Sequence, residues 1–319
     1  MQFNIFPHSP KIDFMRLRWV SAALSALLLV VAVGAMATKG FNFALDFTGG
    51  VGVELRYDKA PDVDDVRKSL EEAGFDSAVV QTFGAGTDLL VRLQAPKKEG
   101  TTGADTESIG DAVAKAASLP GNAAEKRSSA EISPQVGKEL AQNGVYAMLF
   151  VVIGFLAYIS FRFEWKFAVA AIFTTLHDVL IVAGFFALTG REFDLTVLAG
   201  LLSVMGFSIN DTIVVFDRVR ENFRSMRADP MTVLNTSINQ TLSRTIITSF
   251  VAFLTVLALY IYGGGSLEGM ALSQMMGIVI GTISSIFIAC PLLTIGALKV
   301  SKQDLMPKAK DLEALARRP

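Results

Sequence analysis

Apolar and polar positions fall in long blocks along this chain. Six continuous apolar runs come near or above the ~20 residues that cross a bilayer. They lie at 19–38, 144–161, 167–188, 195–216, 245–262 and 271–298. Between the first and second, residues 39–141 hold no spanning run and change period. Strand-length segments are predicted at 51–57, 77–83, 88–94 and 126–132, and helices at 63–73 and 106–119. Asp62 opens the first of these helices and Gly74 stops it; Pro120 stops the second. The order β-α-β-β-α-β is the ferredoxin-like pattern. Residues 84–87 (GAGT) read as the middle hairpin turn, and 97–105 as a polar loop.

The expected layout is therefore a polytopic α-helical membrane protein with six transmembrane helices. An α+β ferredoxin-like (βαββαβ) domain sits between helices 1 and 2. The parts are an N-terminal segment (1–18), helix 1 (19–38), the domain (39–141), helices 2–6 (142–300) and a tail (301–319). Asp229-Pro230 is an N-cap and first-turn pair. Leu234, Ile238 and Leu242 then repeat every four residues, so a separate interfacial helix is expected at 230–244. In the last run Ser273, Gly277, Gly281 and Ser285 repeat at four-residue spacing, a face that lets helix backbones approach in lipid.

Composition agrees with this pattern. Over 319 residues 51% are hydrophobic and 18% charged, with mean hydropathy +0.46, too apolar for an ordinary soluble domain. The net charge of −1 says little, but the placement of charge sets an orientation. Lys11, Arg16 and Arg18, then Arg162 and Lys166, then Arg218, Arg220, Arg224 and Arg227, then the basic tail all fall on one side. By the positive-inside rule both termini are cytoplasmic and the 39–141 domain is outside. The first apolar run exceeds a signal-peptide core of ~7–15 residues, so it reads as an uncleaved anchor, despite Ala35-Met36-Ala37 resembling a cleavage site.

Several chemistries are disfavoured. One cysteine permits no intrachain disulfide, and two histidines leave little for a metal site. No Gly-rich nucleotide loop and no nucleophile elbow occurs, so the chain reads as a non-enzyme with no cofactor and no metal.

What remains is a set of polar residues within the spans. Asp211 lies inside the fourth apolar run, where a carboxylate costs roughly 2.5–3.5 kcal/mol on insertion scales and should face protein or water. On a helix it shares a stripe with Ser208, Val215 and Arg218, while Asn210 falls on the Ser203–Gly206 stripe. His177 and Asp178 sit near the middle of the third run. Arg244, Thr245, Thr248 and Ser249 open the fifth, with Arg244 placed to reach inward toward Asp211. Proton or cation handling is the functional reading. A protonated Asp211 hydrogen-bonded between helices, His177 and Asp178 as helix pins, and Arg244 as an end-of-span charge form the structural alternative.

Five stretches carry a resemblance. They are LDFTGG at 45–50, ISPQVGKELAQNG at 132–144, His177-Asp178-Val179, SINDTIVVFDRVREN at 208–222 and TLSRTIITS at 241–249. On these the chain resembles the SecD/SecF family, the membrane subunits of an accessory complex of bacterial protein export, within the resistance-nodulation-division superfamily. The resemblance is to the smaller-subunit type and samples nearly the whole length. It implies an inner-membrane protein with six spans and a periplasmic ferredoxin-like head. It further implies a SecD-like partner, the SecYEG channel, preprotein substrates, and use of the proton motive force. Proton conduction is implied for Asp211 and Arg244, with Asn210, His177, Asp178 and Thr248 as supporting polar groups. A six-span chain with one intramembrane acidic cluster looks like half of a two-half transporter, so a partner of similar topology should supply the other wall. A proton-driven exporter of small molecules or lipids, a non-transporting channel scaffold, and coupling to Na⁺ remain open alternatives.

Overall fold

The computed structural model describes residues 11–75, 78–83, 86–94, 103–132 and 134–301. Outside these lie residues 1–10 of the N-terminal segment, 84–85 of the GAGT turn, 97–102 of the polar loop and 302–319 of the tail.

A 3₁₀ turn (Phe14–Leu17) leads into α1 (Arg18–Thr38). Next come β1 (Asn42–Phe43), the one-turn helix α2 (Leu45–Thr48), β2 (Gly50–Arg56), α3 (Val63–Glu72), β3 (Val79–Phe83), β4 (Asp88–Gln94), α4 (Gly103–Ala117) and β5 (Glu125–Ile132). The chain then forms α5 (Pro134–Arg162), α6 (Trp165–Thr189), β6 (Glu192–Phe193), α7 (Leu195–Ser225), α8 (Pro230–Tyr262) and α9 (Gly265–Ser284). A π-helical turn (Ser285–Ala289), a short helical turn (Cys290–Leu292) and a 3₁₀ turn (Gly296–Leu298) follow. Six helices among the described residues are long and apolar enough to cross a membrane.

In the 39–141 segment β2 to β5 form one antiparallel sheet in the order β3-β4-β2-β5. Alternation along β2 turns Val51, Val53 and Leu55 inward, and Tyr57 just beyond it, onto Val66 and Leu70 of α3 and Val113 and Ala117 of α4. Burying each of the larger of these side chains contributes about 1.5–3 kcal/mol. Asp62 caps α3 through the Asp64 amide at 2.9 Å, and the Tyr57 hydroxyl donates to the Ala117 carbonyl at 2.9 Å.

The LDFTGG stretch does not run straight into a strand. Its LDFT part is α2, and the two glycines make the corner into β2. Gly49 has φ 73° and ψ 164°, a conformation essentially restricted to glycine, and Gly50 has φ 147°. The corner is crowded as well: a Cβ on Gly137 of α5 would lie 2.8 Å from the Phe47 carbonyl oxygen. Asp46 of α2 accepts from the Leu195 amide at 3.3 Å, and Asp194 caps Val197 at 2.7 Å, so two carboxylates sit at the N-terminus of α7. β1 pairs in parallel with β6 beneath a cluster of Phe41, Phe43, Phe47 and Phe193. Arg92 of β4 pairs with Glu192 of β6 at 2.6 Å, joining the sheet to the α6–α7 connection.

The expected break at residue 244 is absent. Residues 230–262 form one helix of 33 residues, because nothing between Pro230 and Gly263 interrupts it. At 1.5 Å per residue α8 is ~50 Å long, well beyond a ~30 Å hydrocarbon layer. The Leu234, Ile238 and Leu242 face is buried against protein rather than lying on a membrane surface. It packs with Phe216, Val219 and Phe223 of α7 and with Phe14 and Met15. Asn235 and Asn239 hold the backbone of Met15 and Ile12 at 3.0 and 3.1 Å.

The small-residue stripe of α9 packs within this chain, on α7. A Cβ on Gly277 would strike Val204, and one on Gly281 would lie 3.4 Å from the Ser208 Cβ. The last span is also not a plain α-helix. Pro291 lacks the N–H that would bond the Phe287 carbonyl, and that carbonyl instead accepts from the Ser21 hydroxyl of α1 at 2.9 Å.

Candidate functional site

Two buried acids lie where α6, α7 and α9 meet. Asp178 of α6 is fully buried and accepts from three side chains. His177 approaches one oxygen through Nδ1 at 2.9 Å, and the hydroxyls of Ser208 (α7) and Ser284 (α9) both donate to the other at 2.6 Å. Beyond, His177 Nε2 meets Ser25 Oγ of α1 at 2.7 Å. With Nδ1 donating to the carboxylate, Nε2 accepts from Ser25. Asp178 and His177 thus tie four helices together at one depth. Gly281 of α9 borders the site, with its Cβ position in ordinary contact with Asp178 Oδ2 at 3.7 Å.

Asp211 of α7 is 3% exposed and held more loosely. Its one side-chain hydrogen bond among the described residues comes from Ser249 of α8 at 3.3 Å. Thr282 of α9 backs this up, with Oγ1 2.8 Å from Ser249 Oγ. The stripe expected on α7 is present: Ser208, Asp211 and Val215 are all buried. Arg218 departs from it and pairs with Glu221 and Gln240 instead.

Arg244 does not form the contact expected of it. It is exposed, makes no hydrogen bond or ion pair with Asp211, and acts on that carboxylate only through space. Geometry explains this, because the α7–α8 register sets Asp211 against Ser249, more than a turn along α8 from Arg244. Thr248 is exposed and bonds back to the Arg244 carbonyl at 2.9 Å. Asn210 and Ser203 are exposed on α7. The proposed residues therefore divide in two: Asp211, His177 and Asp178 are inside this chain, while Asn210, Arg244 and Thr248 are turned outward.

Ser284, Thr282 and Ser25 carry much of this geometry and were not singled out by sequence. Serine and threonine are ordinary packing residues in membrane helices. A weak signal existed for Ser25, which with Ser21 forms an i, i+4 polar pair in an otherwise apolar span.

Six membrane-length helices around buried acids, with an α+β domain after the first, define a polytopic membrane protein with an intramembrane polar centre. Comparison with known proteins agrees. The description "Protein export membrane protein SecD/SecF, C-terminal" matches residues 112–298, and "SecD/SecF GG Motif" matches 34–61. The chain belongs to the SecD/SecF family. It is 45% identical to the protein translocase subunit SecF of Pseudomonas aeruginosa, over 94% of this chain and 96% of that one. Against the subunit SecF of Escherichia coli O157:H7 it is 43% identical, over 89% and 88%. Among solved structures it resembles SecDF, a translocon-associated membrane protein from Thermus thermophilus, with TM-score 0.79 and 37% identity. That match covers 91% of this chain but 39% of the SecDF chain, so the present chain spans about two fifths of it.

Proposed function

We propose that this chain is a subunit of the bacterial Sec export machinery that uses the proton motive force to help preproteins cross the inner membrane. The relatives named SecF and the SecDF structure support the export role; the intramembrane chemistry supports the energy source. The 39–141 domain, whose strand order β3-β4-β2-β5 is that of a ferredoxin-like sheet, is assigned to the periplasm and both termini to the cytoplasm. Asp211 takes up and releases the proton, with Arg244 tuning it and Asn210, His177, Asp178 and Thr248 supporting.

One observation carries this reading. Asp211 is a buried acid with one side-chain hydrogen bond among the described residues, at 3.3 Å, while Ser203 and Asn210 of its own helix and Arg244 and Thr248 of α8 are exposed. Groups of this kind facing lipid are costly, which argues that a partner's helices cover them. A SecD-like subunit is that partner, and the SecYEG channel supplies the preprotein.

The test is preprotein translocation into membrane vesicles, with and without an imposed proton gradient. Asp211→Asn keeps shape and hydrogen bonding but cannot ionise. The variant is expected to assemble and to support ATP-driven translocation while losing the gradient-dependent part. Full stimulation by the gradient in Asp211→Asn contradicts the proposal.

A further inference from the structure

One cavity borders the buried centre but plays no part in the chemistry proposed for it. It is a groove of about 310 Å³ between α1 and α9, with α6 as its floor. Val20, Leu24 and Leu28 of α1, Ile181 of α6, and Ile283 and Phe287 on the α9 side line it. Farther along, α1 closes tightly on α6, where a Cβ on Gly184 would strike Ala32. Near its start, α1 is pinned to the π-helical turn through Ser21 and the Phe287 carbonyl. Along the same stretch α1 barely meets α9, so the groove stays open. Phe14 holds the Phe287 ring edge-on, with centroids 5.5 Å apart, which fixes one wall in advance.

Three observations say what fits there. The first is depth. From Leu17 to Leu28 the groove follows eleven residues of α1, ~16 Å at 1.5 Å per residue, which is one leaflet of a ~30 Å hydrocarbon layer. Its mean section is then roughly 20 Å², enough for one extended chain, whereas a helix ~10–12 Å across needs several times more. The second is hydrogen bonding. Each serine along the groove has its hydroxyl proton engaged: Ser21 on the Arg18 and Phe287 carbonyls, Ser25 on His177, and Ser284 on Asp178. None is left for a polar ligand. The third is the mouth. Arg16 and Arg18 flank Leu17, and exposed Trp19 marks the headgroup level. Arg16 is exposed, and Arg18 rests against Met231 Sδ at 3.1 Å; neither forms an ion pair among the described residues. The nearby Asp13 carboxylate is taken by the Arg16 amide and the Asn235 side chain.

We propose that the α1–α9 groove binds one acyl chain of an anionic phospholipid, with the phosphate on Arg16 and Arg18. Basic side chains where helices leave the membrane attract anionic headgroups. The chain covers Val20, Leu24 and Ile283, which this structure leaves exposed. In the orientation proposed above, the lipid comes from the cytoplasmic leaflet. Once seated, it shields the Ser25–His177 and Ser284–Asp178 contacts from water on that side. The site stands whether or not Asp211 titrates.

The experiment is native mass spectrometry of the complex with the SecD-like partner, released from nanodiscs of equal phosphatidylglycerol and phosphatidylethanolamine. Wild type is compared with Leu24→Trp, Val30→Trp and the double variant Arg16→Gln/Arg18→Gln. Leu24→Trp fills the groove at a position 56% exposed, while Val30→Trp puts the same bulk on α1 outside it, at a position 69% exposed. Leu24→Trp should retain one phosphatidylglycerol fewer per complex than wild type, and Val30→Trp as many as wild type. The double arginine variant should lower the preference for phosphatidylglycerol by about fivefold per arginine. Equal retention in wild type and Leu24→Trp overturns the groove as a lipid site, the result expected if a partner helix covers it instead. An unchanged preference in the arginine variant overturns the anionic headgroup.

Discussion

Tyr57 gives the head a pH dependence of its own. Burial pushes its phenol up from the usual 10.0 to about 12, while its hydroxyl donates to the Ala117 carbonyl. A folded-state value above the unfolded one means that this stabilisation is complete below pH 10 and is lost as pH rises through about 12. Thermal melts of the purified protein are therefore expected to fall between those limits. Tyr57→Phe, which cannot ionise, should flatten that fall while costing about 1 kcal/mol at neutral pH through the lost hydrogen bond. Equal slopes in the two proteins would remove Tyr57 from the account. At this scale the sequence was informative where a residue's own chemistry set its environment. A carboxylate in the middle of an apolar run had to be buried, and both Asp178 and Asp211 are. Which residue answers a carboxylate was not legible, because that depends on helix register: Ser249 meets Asp211, and Arg244 falls more than a turn away.

Among the elements, the α7–α9 contact carries the site. The spacing of Ser273, Gly277, Gly281 and Ser285 announced a packing face, but not which helix it meets; the structure places Val204 and Ser208 of α7 against it. Gly277→Leu would drive a side chain into Val204, an overpacking that costs typically 1–3 kcal/mol. Its expected signature is a lower melting temperature and poorer recovery in detergent. Gly154 of α5 is the control, with nothing within 4 Å of its Cβ position, so Gly154→Leu should behave as wild type. Equal stability of the two variants would contradict the packing described. The separate interfacial helix at 230–244 misled for a related reason. Its four-residue apolar repeat is real, but the pattern does not distinguish a lipid surface from the flank of α7, and no helix breaker separates it from the following span.

For the whole molecule, apolar run length was enough to count six spans, and change of period was enough to mark off the segment between the first two. The junction was harder to read. LDFTGG is a one-turn helix followed by a corner that glycine alone fits easily, and it touches α5 and caps α7. Since α7 also bears Asp211, the head, its junction and the buried acid are joined through one helix. The direct measurement is proton flux across sealed vesicles containing the chain with its SecD-like partner, under an imposed gradient. Wild type is predicted to conduct, Asp211→Asn to fall to the level of protein-free vesicles, and Asp211→Glu to retain part of the flux. Undiminished flux through a fully assembled Asp211→Asn complex would contradict the account.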